Sequence, residues 1–411
     1  MFHNSKGFYP RYTRPICLAS ILTLSLSTAA CANSEKNANS EKTNGGSGSQ
    51  TYTIGVLVPL TGIHAADGPV TRHGVDLAVE KIKTSGVLGD DTLKTQFADN
   101  QAAPDVAVSA FNQLLSIHKP VASLTGFSGP PLAIAPIATR SKVVLVNTGG
   151  VTPGLATASP YLFNAVPLID QQARVLMSYV AEKTDAKRVA LLYTNDALGN
   201  GTEAKFGGAV TGAGLTYAGS VAFDGTGTDY RAAISKIQSL KPDVVYLTPS
   251  SDQAGNIIKQ AAEIGFTPRW AGYSGFAHSG TYTIGGKAAE GGLVTVPSTV
   301  QPSSGDEYPA FTTFSKAWKA KDGTEPDYLG ETAYEAVIML AYAIAKAKKA
   351  GDVTGERVRE AMFGLNNYPS IFGAKVDDKG HIFQALAVEE IKNSKFVVSK
   401  VYGSDELAKI G

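Results

Sequence analysis

Two tetrapeptides of one kind, Gly126-Phe127-Ser128-Gly129 and Gly272-Tyr273-Ser274-Gly275, set a hydroxyl between glycines. Neither completes the Gly-x-Ser-x-Gly turn that aims a hydrolase serine at its substrate. No His-Glu-x-x-His pair occurs, and His3, His64, His73, His118, His278 and His381 are scattered without metal-ligand spacing. A Gly-x-x-x-x-Gly-Lys-Ser/Thr phosphate loop is also missing. The chemistry left to these residues is hydrogen bonding without bond making. The same Gly, Ser and Thr richness marks four further segments: Pro59-Leu60-Thr61-Gly62 with Asp67, Asn147-Thr148-Gly149-Gly150, Thr194-Asn195-Asp196-Ala197-Leu198-Gly199, and Thr248-Pro249-Ser250-Ser251-Asp252. Backbone N–H groups at helix starts, with hydroxyls beside them, can host a small carboxylate or polar head group. Each segment taken singly reads equally as helix capping; their clustering is what suggests a site. The expectation is a reversible binder, not an enzyme, with no cofactor and no metal.

The elements that must position these tips alternate along the chain. Residues 53–58 form a short apolar run ending at Pro59, the pattern of a buried parallel strand. Helical spacing follows at Val75, Ala78, Val79 and Ile82. Strands are predicted over 95–99, 121–125 and 143–146, with helices over 106–117 and 131–141. The alternation restarts with strands at 188–193, 216–223, 243–247, 270–272 and 292–296, separated by helices over 201–213, 230–240 and 254–264. Helices over 309–319 and 334–348 come late, and 382–401 alternates around Asn393. Two successive runs of this kind predict an α/β fold with two doubly wound parallel-sheet lobes. In such sheets ligands sit beyond the carboxyl ends of the strands, where the tips lie.

The N-terminus reads as an export signal. Lys6, Arg11 and Arg14 precede an apolar run over 16–26, too short to span a bilayer comfortably, and then Thr28-Ala29-Ala30-Cys31. Cys31 is the candidate lipidation site, although the aliphatic residue expected three positions earlier is Thr28; cleavage after Ala30 or Ala32 is the alternative. Residues 1–30 are then signal peptide and 31–51 a Gly/Ser-rich tether. Only Cys17 accompanies Cys31, so the exported domain is held by its core alone.

Without the first 30 residues, which hold three basic and no acidic side chains, 34 basic residues face 36 acidic ones, a net charge of about −2. That balance excludes nucleic acid as a partner, which needs a basic field. The roughly 360 residues beyond the tether exceed one comfortable core and predict two domains.

Ile54-Gly55-Val56-Leu57-Val58-Pro59-Leu60-Thr61-Gly62, followed by Gly74-Val75-Asp76-Leu77-Ala78-Val79-Glu80, resembles the opening of the leucine/isoleucine/valine-binding (type I) periplasmic solute-binding proteins. Asp99-Asn100, the segment 126–138, Thr228-Asp229-Tyr230, Lys241-Pro242-Asp243-Val244-Val245 and Ala333-Tyr334-Glu335-Ala336 continue the resemblance in order over residues 52–402. It implies lobe 1 over 52–166 plus 297–381, lobe 2 over 167–296 plus 382–411, and three hinge crossovers near Val166, Val296 and His381. It further implies an exported monomer, periplasmic or on the outer face of the cytoplasmic membrane and touching it only through Cys31. This monomer would pass a small-molecule ligand to an ABC permease. Hydrophobic amino acids are the ligand by family default; a small carboxylate, amide or aromatic acid is the alternative, as is a sensor signalling to a membrane receptor. Where amino-acid binders carry a carboxylate for the ligand ammonium, this chain has Ser274. Leu198, Ser250 and Asp67 stand where aromatics are usual. Asp67, or else Asp196, would then supply the counter-charge, since an unpaired ammonium in a dry cleft is costly, or the ligand lacks an ammonium. Ser128, Thr148, Gly149 and Gly150 would hold a carboxylate. Phe127, Tyr273 and Tyr328 would wall an apolar tail, and Asn195 completes the candidate set.

Overall fold

The strand-like runs and amphipathic stretches fold in the predicted order in a computed structural model that describes residues 49–62, 64–249 and 252–410. The leader, most of the tether and Cys31 lie outside these residues, as do Ser250 and Ser251. The predicted tether runs to residue 51, yet Gln50 donates its N–H to Asp91 Oδ1 at 2.9 Å and Thr51 opens the first strand.

The first lobe begins with β1 (Thr51–Val58), α1 (Asp67–Ser85), β2 (Thr92–Asp99), α2 (Pro104–His118), β3 (Ala122–Thr125), α3 (Gly129–Ser141), β4 (Val144–Asn147) and β5 (Leu162–Asn164). All five strands are parallel, in the order β2-β1-β3-β4-β5. Ile54, Val56 and Leu57 of β1 are fully buried. Both faces of this strand are covered, which is why it reads as a continuous apolar run and not as an alternation. The chain leaves β1 for β2 on one side and returns to β3 on the other. Loops after β1 and β3 therefore diverge at a topological switch point, where a crevice opens.

The second lobe follows with α4 (Ile169–Lys183), β6 (Arg188–Thr194), α5 (Ala197–Gly212), β7 (Thr216–Phe223), α6 (Arg231–Ser239), β8 (Val244–Thr248), α7 (Gln253–Glu263), β9 (Arg269–Gly272), α8 (Ser279–Gly285) and β10 (Leu293–Pro297). The chain then returns to the first sheet through α9 (Pro309–Asp322), α10 (Tyr328–Ala350), α11 (Gly355–Met362) and the short strands β11 (Lys375–Val376) and β12 (Ile382–Phe383). It ends back in the second lobe with β13 (Leu386–Ile391), β14 (Phe396–Tyr402) and α12 (Ser404–Ile410). The second sheet runs β14-β13-β10-β9-β8-β6-β7. Its five β6–β10 strands are parallel, but β13 pairs antiparallel with both β10 and β14. An all-parallel sheet is thus extended by a hairpin whose turn places Asn393 and Ser394 at φ 53° and 56°, left-handed values that Asn tolerates better than most residues.

Three segments connect the lobes: one between β5 and α4, one after β10, and one between β12 and β13. The last crosses at Gln384 and Ala385, a few residues past the predicted His381, because β12 still pairs with β11. The crossings are stitched together. Ser298 N–H donates to Ala385 O at 2.9 Å, and Gln384 Nε2 donates to Ala165 O at 3.3 Å.

α10 lies against α1 and contributes a buried acid, Glu335, with no solvent exposure. One of its carboxyl oxygens accepts from Ile371 N–H at 2.9 Å, and the other has no hydrogen bond. Burial pushes this carboxyl up to about 7. The folded chain therefore holds a proton that the unfolded chain has released above the ordinary value of 4.5, so stability falls as pH rises through that window. Denaturant unfolding should show a loss of up to about 3 kcal/mol between about pH 5 and pH 8 from this group. Glu335→Gln should flatten that slope; an unchanged slope would remove the buried acid as its source.

Candidate functional site

Between the lobes lies a solvent-connected cleft of about 890 Å³. It is lined from the first lobe by the loops after β1, β2, β3 and β4 and by the start of α10. The second lobe contributes the loops after β6 and β9. The tips at the carboxyl ends of the strands converge here because both sheets point their switch points at it.

On the first-lobe side, Asp99 at the end of β2 organises the β1 loop. It accepts from Leu60 N–H at 2.8 Å, Gln101 N–H at 3.0 Å and the Thr61 hydroxyl. Burial pushes its carboxyl up, but these hydrogen bonds outweigh that and hold it below the usual range. The loop then delivers His64 and Asp67, the first residue of α1. His64 Nδ1 stands 3.6 Å from Asp67 Oδ2, and the Asp67 side chain is 8% exposed. The His64 ring packs on Phe127 with centroids 4.8 Å apart. Phe127 takes φ +62°, an uncommon region for a bulky side chain; that conformation turns the chain between β3 and α3. Next to it, Ser128 Oγ accepts from the N–H groups of Val151 at 3.2 Å and Thr152 at 3.3 Å. A hydroxyl has two acceptor lone pairs and one hydrogen. With both lone pairs engaged, the Ser128 proton is the part left to donate into the cleft.

On the facing side, Asp196 caps α5 by accepting from Gly199 N–H at 2.8 Å, and Thr194 Oγ1 donates to the same oxygen at 2.9 Å. Leu198 follows and is buried. Tyr273 donates its hydroxyl to Pro249 O at 2.7 Å, and burial, with the nearby Asp196, Tyr328 and Asp67 charges, raises its ionisation far above the ordinary value. Two contacts bridge the lobes at the rim: Thr152 Oγ1 donates to Ala197 O at 2.9 Å, and His278 Nδ1 stands 3.7 Å from Asp327 Oδ2. Asp327 also caps α10 through Leu329 N–H at 2.9 Å, which fixes Tyr328 and Leu329 in the cleft wall. The charged lining comprises Asp67 and Asp196 with the titratable His64 and His278; among the described residues no lysine or arginine contributes to it.

Of the residues predicted from sequence, Asp67, Phe127, Ser128, Gly149, Leu198, Tyr273 and Tyr328 line this cleft together. Thr148, Gly150, Asn195 and Ser274 stand outside its lining. Thr148 is buried with Oγ1 donating to Thr125 O at 3.3 Å. Gly150 donates its N–H to Asn147 Oδ1 at 2.7 Å, so the backbone donor expected there is already used. Asn195 is exposed, its N–H paired with Phe223 O. Ser274 is buried under the loop, its N–H donated to Gln172 Oε1 at 2.7 Å. Ser250 lies outside the described residues. His64, His278, Ala102, Pro104 and Leu329 line the cleft without having been singled out. His64 sits in the β1 tip between Thr61 and Asp67, so reading the whole tip would have reached it.

Two doubly wound lobes, three stitched crossings and one cleft fed by loops of both lobes define the class of two-lobed binding proteins. The family model described as periplasmic binding protein matches residues 51–395, and the chain belongs to that family. A Leu/Ile/Val-binding protein homolog of Brucella melitensis is 28% identical over 302 residues, covering 73% of this chain and 78% of that protein. A leucine-binding protein of Thermotoga maritima, known by its crystal structure, superposes with a TM-score of 0.77 at 25% identity, over 86% of this chain and 99% of its own. A solute-binding protein of Rhodopseudomonas palustris, crystallised with 3,4-dihydroxybenzoic acid, has the same fold at 22% identity and a TM-score of 0.74, covering 86% of this chain and 98% of its own.

Proposed function

We propose that this protein is the exported binding component of an ABC importer and that its ligand is a hydrophobic amino acid, in the first place a branched-chain one. The observation that carries this reading is the charge pattern of the cleft. Carboxylates approach from opposite lobes, no lysine or arginine among the described residues opposes them, and apolar side chains form the walls. A zwitterion with an apolar side chain matches that lining. Its ammonium lies toward Asp67 and Asp196, its carboxylate accepts the Ser128 proton, and its tail packs on Phe127, Leu198 and Tyr328. A bare aromatic acid would bring a third negative charge into the cleft, relieved only by protonation of His64 or His278. The moving bodies are residues 51–166 with 297–383 and residues 167–296 with 386–410. A ligand touching both favours the closed arrangement by its preference for it. Cys31, if lipidated, tethers this clamshell at the membrane beside its permease.

The test is a thermal-shift screen of the purified protein against amino acids, aromatic acids and amides. Stabilisation by leucine, isoleucine or valine supports the reading. Stabilisation by benzoate-type acids alone would replace it with the aromatic-acid alternative, which the aromatic walls Phe127, Tyr273 and Tyr328 would then serve.

A further inference from the structure

A second cavity, of about 1120 Å³, opens where the three crossing segments meet and shares no lining residue with the cleft. Pro167 belongs to the first crossing, Tyr308 follows the second, and Gln384 and Ala385 form the third. The remaining walls come from both lobes, with Lys375 and Phe383 on the β11–β12 hairpin and Leu407 on α12.

Three features mark this cavity. Phe383 is 54% exposed, exceeded among the large apolar side chains of the described residues only by Ile117 at 60%. Gln384 Oε1 is buried without a hydrogen bond, while its Nε2 donates to Ala165 O. The carbonyl partner fixes which way that amide points, since the flipped amide would set two acceptors against each other. Lys375 makes no ion pair among the described residues.

We infer that this cavity is a second ligand site, taking a small amphiphile with an apolar ring or chain and an anionic group. The apolar body packs on Phe383, Tyr308 and Leu407, and the anion meets Lys375. Because the walls belong to both lobes and to the crossings, an occupant that fits one lobe arrangement better shifts the open–closed equilibrium. By linkage it changes the affinity of the cleft ligand by the same factor that the cleft ligand changes its own. This effector role rests on the hinge motion proposed above; the site itself does not.

Anilinonaphthalene sulfonate carries both groups and serves as a fluorescent probe. Titration of the purified protein should give saturable single-site binding, weakened at least tenfold by Phe383→Ala and by Lys375→Glu, two exposed positions outside the cleft. Saturating leucine should change the probe affinity at least twofold without displacing it, and saturating probe should change the leucine affinity by the same factor. Displacement of the probe by leucine, or unchanged probe binding in both variants, would overturn the site. Probe binding with no reciprocal shift would overturn its effector role. If leucine fails to bind at all, the proposed function falls while the two variants still decide the second site.

Discussion

Asp67→Asn is expected to weaken leucine binding more than tenfold, about 1.4 kcal/mol or more, while leaving the fold intact. Asp67 is buried at the first position of α1, within 3.6 Å of His64, and lines the cleft. Taking an ammonium out of water is favourable only where a carboxylate replaces its hydration, and in this cleft Asp67 is the buried one of the two carboxylates; Asp196 is exposed and already engaged as a helix cap. The amide keeps the size of the side chain but removes its charge. The loss of an acid in the first turn of α1 costs only about 0.3–1 kcal/mol of stability, so calorimetric affinity and melting temperature should separate cleanly. A ligand lacking an amino group should lose nothing to this substitution. Equal weakening of both would show that Asp67 acts through the loop and not through its charge.

Gly74→Val is expected to have the largest effect on stability. A Cβ at Gly74 would overlap the carbonyl oxygen of Gly330, and a Cβ at Gly330 would overlap the Trp318 ring, so α1 and α10 meet backbone to backbone. Trp318 in turn packs on His73 with centroids 4.3 Å apart. Dense cores have no slack to absorb a branched side chain at such a contact, and a destabilisation of about 3 kcal/mol or more is expected in denaturant unfolding. The same two helices begin in the cleft, α1 with Asp67 and α10 with Tyr328 and Leu329. Forcing them apart should therefore also weaken the ligand in whatever fraction remains folded. Gly208 of α5 has open space around it, and Gly208→Ala should be neutral or stabilising by up to about 1 kcal/mol. A mild Gly74→Val would mean that the helices can slide without cost.

What the chain discloses about itself divides along physical lines. Buried parallel strands such as β1, β6 and β8 are short apolar runs closed by Pro, Thr or Asn, and their pattern survives without any tertiary information. α4 carries Ile169, Ala173, Leu176 and Val180 at helical spacing after Pro167, a signal as strong as those that were read. β5 and β12 are only three and two residues long; they exist because a neighbouring strand offers hydrogen bonds, not because of their own pattern. The antiparallel β13–β14 hairpin has strand-like residues, but nothing local reveals its direction. In the cleft, the strand-tip rule reached Asp67, Phe127, Ser128 and Tyr273. It also reached Thr148 and Gly150, whose polar groups the fold spends on itself, and Ser274, whose N–H is given to Gln172 while its hydroxyl is buried without a partner. A tip's composition shows that donors are present; only the hydrogen-bond network shows which remain unspent, as the Ser128 proton does.

The central claim is that the cleft selects an ammonium and a carboxylate on an apolar body. It is tested most directly by calorimetric titration with leucine and with isocaproate, its counterpart without the amino group. Leucine should bind with single-site stoichiometry and isocaproate at least a hundredfold more weakly, about 2.7 kcal/mol. Equal binding of the two, or binding of isocaproate and aromatic acids without leucine, would contradict it.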